Sequence, residues 1–147
     1  MTAKEFLRRA YTQLLRVKDV EGQAAMMRGV AEQNGAVQYG ERVSGSRNMT
    51  AGEDAIIRLM EMDKKVQEAK VELLRLQSEN AELINRLEST TQREILGRRY
   101  IAFESWDSIA CKMCYSRRWV FRMHNAAIAN LEKVVTKSSL GGHLQDT

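Results

Sequence analysis

Apolar residues recur at intervals of three and four through the first thirty residues of the chain. This spacing lines them along one face of a helix, so residues 1–33 are predicted to form an amphipathic helix. Asn34-Gly35 then supplies the left-handed stop with which many helices end. The apolar positions are Leu7, Ala10, Leu14, Val17, Val20, Ala24, Met27 and Ala31.

The next stretch, residues 34–50, is rich in glycine and serine and has no period, which predicts a linker. A second helix is predicted over residues 51–88, where Thr50 and Glu53 have the spacing of a capping box. Along this helix the residues of one face are spaced alternately by three and four positions without interruption. All of them are apolar except Asn80. This seam comprises Leu59, Met62, Val66, Ala69, Leu73, Leu76, Asn80, Leu83 and Leu87.

A seam of this kind has two expected partners. A second copy of the chain would give a coiled-coil dimer, in which Asn80, as a polar core residue, would set the register. Alternatively, the first helix folds back along the second as an antiparallel hairpin. The two helices have similar lengths, and the linker is long enough to allow the hairpin. Both alternatives stay open at this stage.

Three shorter helices are predicted downstream. Ser89 or Thr91 can cap the first, which begins near residue 90 and ends by about Phe103. Ser105 can cap the second, Trp106–Met113. After a turn of three residues, Ser116 can cap a longer third helix with Val120, Met123, Ala127, Ile128 and Leu131 on its inner face. A short helix, a tight turn and a longer helix form the pattern of a helix-turn-helix.

Composition supports an all-α fold, because 147 residues without a proline favour long uninterrupted helices. No apolar run approaches the length of a membrane span, and the charged N-terminus does not resemble a secretory signal. We therefore expect a cytoplasmic protein with no membrane partner.

The charge is distributed unevenly along the chain. Residues 1–89 are neutral, with 14 basic and 14 acidic side chains, whereas residues 90–137 carry nine basic and four acidic ones. A compact basic module indicates a polyanionic partner, most often nucleic acid.

The predicted third helix has the side chains that such a partner needs. Arginines near the start of a recognition helix can bind guanine edges in the major groove, and a serine hydroxyl with free amides behind it suits a phosphate. The candidate DNA-binding residues are Tyr115, Ser116, Arg117, Arg118, Trp119 and Arg122. His124 is expected either at the edge of the core or at a phosphate, and Trp106 in the core.

Other chemistry has little support in the sequence. Cys111 and Cys114 form a C-x-x-C pair, but their spacing to His124 and His143 matches no zinc site, and the βαβ context of a redox pair is missing. Neither a catalytic constellation nor a phosphate-binding glycine loop is present. We expect no metal, no cofactor and no enzymatic activity.

Residues 93–131 resemble region 4 of sigma-70-type factors, which reads the promoter −35 element. They resemble more closely the C-terminal module of ArpU/RinA-type phage transcriptional regulators, and residues 43–59 resemble small uncharacterised prophage proteins of that group. The matching elements are Arg99-Tyr100-Ile101, Ser105-Trp106, Ile109-Ala110, Tyr115-Ser116-Arg117-Arg118, Val120, Arg122, His124 and Ala127.

Two residues depart from the pattern of that group. Cys114 replaces the usual glycine of the turn, where a positive φ is expected to cost a non-glycine residue about 1 kcal/mol. Phe103 replaces another usual glycine, before the second helix.

The resemblance implies a sequence-specific transcriptional regulator of phage or prophage genes that binds double-stranded DNA. RNA polymerase is a further candidate partner, and the helical arm is expected to support homo-oligomerisation. The predicted architecture is all-α: the arm, a helix-turn-helix domain over residues 90–137 and a flexible tail over residues 138–147. The competing functions are a small terminase-like DNA-packaging protein and a structural coiled-coil adaptor.

Overall fold

The computed structural model describes the backbone of residues 1–33 and 46–144, and the side chains of residues 1–33 and 52–139. In these ranges the chain is helical, without strands. The helices are α1 (Ala3–Gln33), α2 (Ser46–Ile84), α3 (Thr90–Tyr100), α4 (Trp106–Met113) and α5 (Arg117–Leu144). The predicted all-α class is confirmed. None of these helices combines the length and the apolar character that crossing a membrane requires.

Three boundaries differ from the sequence prediction. α2 begins at Ser46, so residues 46–50 are helix and not linker, because no glycine or proline interrupts the chain between Gly45 and Gly52. α2 ends at Ile84 and not at residue 88, so Leu87 of the seam lies after the helix. α5 continues to Leu144, so the predicted tail is helical over residues 138–144, where proline is again absent. The Asn34-Gly35 stop, the rest of the linker, the Thr50 side chain and residues 145–147 lie outside the described residues.

The chain divides into two compact units. Residues 13–73 form the first, here called the two-helix unit, and residues 1–12 with 74–147 form the second, here called the five-helix unit. α1 and α2 each contribute residues to both.

In the two-helix unit, α1 and α2 run antiparallel. Arg28 pairs with Asp63 at 3.1 Å, and Glu21, two turns earlier in α1, pairs with Lys70, two turns later in α2, at 2.9 Å. Val17, Ala24 and Val66 are buried between the two helices. The seam of α2 therefore meets the first helix of its own chain, as the hairpin alternative predicts.

The five-helix unit has a continuous core. Leu7 of α1, Leu83 at the end of α2, Leu87 after it, Leu96 of α3 and Leu131 of α5 are buried in one cluster. The first turns of α1 are thus part of the unit that contains the predicted helix-turn-helix, which the sequence-based division into arm and domain did not foresee.

Asn80 links three helices of this unit and is completely buried. Its side-chain amide donates to the carbonyl oxygens of Leu7 in α1, at 3.0 Å, and of Tyr100 in α3, at 3.3 Å. The Tyr100 carbonyl lies at the end of α3, where helical carbonyls lack partners within their own helix. The polar residue of the seam therefore has its partners inside the chain.

Candidate nucleic-acid interface

The turn between α4 and α5 is built by side-chain caps and one left-handed residue. The Ser105 hydroxyl accepts from the Ser108 amide at 3.2 Å, and the Ser116 hydroxyl accepts from the Trp119 amide at 3.2 Å. Cys114 is the C-cap of α4; its φ is 59° and its amide donates to the Cys111 carbonyl. The Tyr115 amide closes the turn on the Ala110 carbonyl at 3.0 Å. Both predicted serine caps and the positive φ of Cys114 are confirmed.

A small apolar cluster holds this turn against α3. Ile95, Ile109, Ala110 and Val120 are buried together, and the half-buried Trp106, Met113, Trp119 and Met123 pack around them. Because Val120 of α5 points inward, the residues two positions before and after it, Arg118 and Arg122, lie on the outer face of the same helix. Packing alone therefore fixes which side of α5 is available to a partner.

Most of the candidate residues are exposed. Tyr115, Ser116, Arg117, Arg118 and Arg122 all face solvent. Trp119 is only half-buried, because one side of it packs on the core while its ring stacks on Tyr115 with 3.8 Å between ring centroids. The structure thus gathers all six candidates at the turn and on the first two turns of α5, with Trp119 serving partly as core.

The three arginines of this surface differ in their contacts. Arg117 reaches Asp107 at 3.3 Å in a highly exposed pair, and its guanidinium lies 5.5 Å from the centre of the Phe121 ring. Arg118 and Arg122 form no ion pair with any described residue. No described carboxylate therefore compensates their positive charge, which suits a polyanionic partner.

The arginines of α3 are used inside the protein instead. Arg98 binds Glu94 at 3.0 Å and Glu104 at 3.3 Å, and these carboxylates raise its pKa. Arg93 donates to the Leu87 carbonyl at 2.8 Å, and Arg99 donates to the Glu104 carbonyl at 3.0 Å. Counting charges along the sequence could not separate these structural arginines from the free ones, since the separation depends on tertiary contacts.

Glu104 ties α3 to α4 through two cations. Its carboxylate binds Lys112 of α4 as well as Arg98 of α3, and the hydrogen bond to Lys112 contributes most to lowering its pKa. The preceding residue, Phe103, has a φ of 57°, which turns the chain toward the start of α4. The second departure from the regulator pattern is therefore also a left-handed residue.

His124 belongs to the core and not to the exposed surface. Its Nε2 atom lies 2.7 Å from the Tyr100 hydroxyl, and its ring meets the Trp106 ring edge-on at a centroid distance of 4.8 Å. Burial is the main cause that lowers its pKa, with smaller contributions from the charges of Lys4 and Arg99, against the raising effect of a hydrogen bond with Asn125. Of the two positions expected for this histidine, the structure shows the core.

The structure adds two basic residues that sequence reasoning missed. Lys4 and Arg8 lie on the exposed side of the first turns of α1, in the same unit as α3, α4 and α5. The one signal in the sequence is the apolar spacing of Leu7 and Ala10, which predicts a buried face but does not identify the element that it packs against.

The two cysteines, Cys111 and Cys114, are exposed free thiols. In the part of the chain that the structure describes, no three His, Cys, Asp or Glu side chains are grouped as metal ligands would be.

Comparison with known proteins gives a coarser result than the resemblance of the C-terminal module. Neither a curated protein nor a solved structure matches the sequence. Residues 36–132, about two thirds of the chain, match a family described as protein of unknown function (DUF1492). The matched segment includes α3, α4 and the first half of α5, and so contains the turn and the free arginines. The chain belongs to the DUF1492 family.

Proposed function

We propose that the chain is a cytoplasmic, sequence-specific regulator of phage or prophage transcription that binds double-stranded DNA and has no enzymatic activity. The outer face of the first turns of α5 would enter the major groove. α4 would cross the DNA backbone, as the first helix of a helix-turn-helix does.

The observation that carries this proposal is the contrast among the arginines. Arg118 and Arg122 lie one helical turn apart on an exposed face, with no acidic partner among the described residues, although Arg98 in the same unit is bound by two carboxylates. A fork of donors on a helix that can enter the groove matches the guanine edge, which accepts two hydrogen bonds. The resemblance to sigma-70 region 4 and to ArpU/RinA-type regulators also favours this face of α5 as the DNA-binding surface.

The turn supplies groups for the phosphates that flank the bases. The Ser116 hydroxyl accepts from the Trp119 amide, so its own hydrogen stays available to donate to a phosphate oxygen. Beside Ser116, the stacked rings of Tyr115 and Trp119 form a flat aromatic surface on which a sugar or a thymine methyl group can pack.

A second copy of the chain is part of the proposal. The seam of α2 is occupied by α1, so self-association would use the opposite face of the two-helix unit, where Ile57, Met60 and Val71 are exposed. Their separations of three and eleven residues keep them on one stripe of the helix. A symmetric pair would read half-sites about 34 Å apart or a multiple of that distance.

Sedimentation can test the second copy. Met60→Glu with Val71→Glu should shift the protein toward the monomer, whereas Lys65→Glu, on another side of α2, should leave its mass unchanged. A monomeric wild type at micromolar concentration would contradict self-association.

The function itself can be tested by capturing fragments of the encoding genome on the purified protein at moderate salt and sequencing them. We expect one site beside a promoter to be enriched and then lost in the double variant Arg118→Gln, Arg122→Gln. The matched control, Arg16→Gln with Arg58→Gln, removes two exposed arginines of the two-helix unit and should retain the site.

Other outcomes would redirect the assignment. Enrichment beside packaging genes would favour the small terminase-like protein. Enrichment that requires added RNA polymerase would make the polymerase a direct partner. The absence of enrichment under both conditions would contradict DNA binding and favour the adaptor.

A further inference from the structure

The first turns of α1 are fixed firmly to the five-helix unit. The Ala3 amide donates to the Glu132 carboxylate of α5, Leu7 is fully buried, and the Leu7 carbonyl accepts from Asn80 at 3.0 Å. Side chains that leave this part of α1 on its exposed side therefore start from a rigid backbone. Such preorganisation reduces the entropy lost when they bind a partner.

Two of these side chains are cationic and have no acidic partner within the described ranges. Lys4 and Arg8 are four residues apart, which places them one above the other on α1. Neither forms an ion pair with a described residue, and the nearby Glu5 carboxylate accepts from the Thr2 amide at 2.9 Å. The pair thus presents two uncompensated positive charges.

Their surroundings connect them to the beginning of α4. Tyr11, three residues after Arg8 on the same side of α1, packs on Phe103 with 6.3 Å between the ring centroids. Phe103 lies in the turn that leads from α3 into α4. The charge of Lys4 is one of the causes that lower the pKa of His124, whose ring contacts Trp106, the first residue of α4.

A third cation, Arg99, also lies at the beginning of α4. The guanidinium of Arg99 lies 4.4 Å from the centre of the Trp106 ring. Arg99 therefore places a positive charge against the first residue of the helix that would cross the DNA backbone.

We propose that Lys4 and Arg8 form a phosphate-binding site on the DNA backbone that flanks the bases read by α5. The site binds two phosphates of the duplex without regard to sequence and fixes the orientation of α4 and α5. This inference rests on the proposed function, since it assigns the site to the same duplex. It extends the interface from the helix-turn-helix to the opposite end of the chain.

Salt dependence distinguishes such a site from base reading. Each phosphate contact that is lost reduces the slope of log K against log salt concentration by about 0.9. The full-length variant Lys4→Gln, Arg8→Gln should therefore show a slope smaller by about 1.8 and bind roughly 30-fold more weakly at 0.15 M salt. The loss should be equal on an enriched duplex and on an unrelated duplex, so that sequence preference is unchanged.

The matched control is Arg58→Gln with Lys65→Gln, which makes the same change in charge at exposed positions of the two-helix unit. Its slope should equal that of the wild type. Thermal unfolding of both variants should match the wild type as well, because all four side chains are exposed. Equal slopes for the two double variants would overturn the proposal, since net charge alone would then explain the change.

The test separates failure of this site from failure of the proposed function. If Lys4→Gln, Arg8→Gln retains the wild-type slope while Arg118→Gln, Arg122→Gln loses the enriched duplex, the phosphate site is wrong and the regulator stands. If the wild type shows no salt-dependent binding to either duplex, both are wrong. A reduced slope confined to Lys4→Gln, Arg8→Gln supports the site.

Discussion

The two units of the chain differ in their buried polar contacts. In the two-helix unit, described cations such as Arg28 and Lys70 meet acids across the helix pair at the surface. The five-helix unit has surface ion pairs as well, such as Arg98 with Glu94, but it adds the buried polar contacts of Asn80 and His124. Its Arg118 and Arg122 are exposed and form no ion pair with a described acid. Buried polar contacts therefore specify one arrangement of five helices, and the free charges of that arrangement are available for a partner.

The largest expected effect on stability comes from Asn80→Asp. The substitution replaces a donor by a carboxylate that faces the carbonyls of Leu7 and Tyr100 in a fully buried position. A buried charge without a partner costs about 3–5 kcal/mol. Urea denaturation should show a loss of that size, compared with at most about 0.5 kcal/mol for Asn85→Asp, which is exposed. A loss below about 1 kcal/mol at Asn80 would contradict its bridging role.

A second substitution at Asn80 tests whether the seam of α2 packs against α1 of its own chain or against a second copy. Because Asn80 binds carbonyls of its own chain, Asn80→Leu should leave the sedimentation behaviour unchanged. A change in oligomeric state would instead place Asn80 between two copies of the chain.

The next effect is expected at the Tyr100–His124 pair. Tyr100→Phe removes the hydroxyl at 2.7 Å and should cost about 1 kcal/mol. His124 should also make stability depend on pH, because burial lowers its pKa in the folded protein. The unfolded chain then binds the proton more readily, so the free energy of unfolding should fall as the pH falls below about 6.5. In denaturation series between pH 5.5 and 7.5, His124→Gln should lose this component, and an unchanged profile would contradict a neutral buried histidine.

An effect of similar size and opposite sign is expected at the turn. Cys114→Gly relieves a left-handed residue and should stabilise the protein by about 1 kcal/mol. The same substitution three residues earlier, Cys111→Gly, lies inside α4 and should destabilise it by about 0.5–1 kcal/mol. Thermal melts of the two variants should shift in opposite directions, and shifts in the same direction would rule out backbone strain at Cys114.

The smallest effect is expected in the two-helix unit. Glu21→Gln removes the partner of Lys70 from a surface pair whose side chains are both nearly half exposed. Such pairs contribute about 0.2–1 kcal/mol, and less at high salt. A loss above about 2 kcal/mol would contradict the expectation that a surface ion pair of the two-helix unit stabilises the protein less than the buried polar contacts of the five-helix unit do.

The sequence predicts local structure well where the signal is local. The serine caps at Ser89, Ser105 and Ser116 and the bounds of α4 are as expected, because a cap and its amide are within three residues of each other. The left-handed Cys114 is another local feature, found through the glycine that usually occupies the turn.

Tertiary partners could not be predicted in the same way. An asparagine in a seam has the same local pattern whether its partner is a second copy or its own chain, so only the structure identifies Leu7 and Tyr100. The sequence also does not show which arginines are paired and which are free. Arg98 and Glu104, for example, meet through a turn whose geometry depends on Phe103. Lys4 and Arg8 were overlooked because their helix was assigned to the arm alone.

The proposed function requires that the exposed face of α5 reads DNA sequence. We would test this first by measuring, across a salt series, the affinity of the wild type and of Arg118→Gln, Arg122→Gln for an enriched duplex and for its scrambled version. We expect the affinity of the variant to fall at least about 30-fold on the enriched duplex and much less on the scrambled one, because base contacts contribute about 1–3 kcal/mol each. Equal losses on both duplexes, or no loss on either, would contradict it.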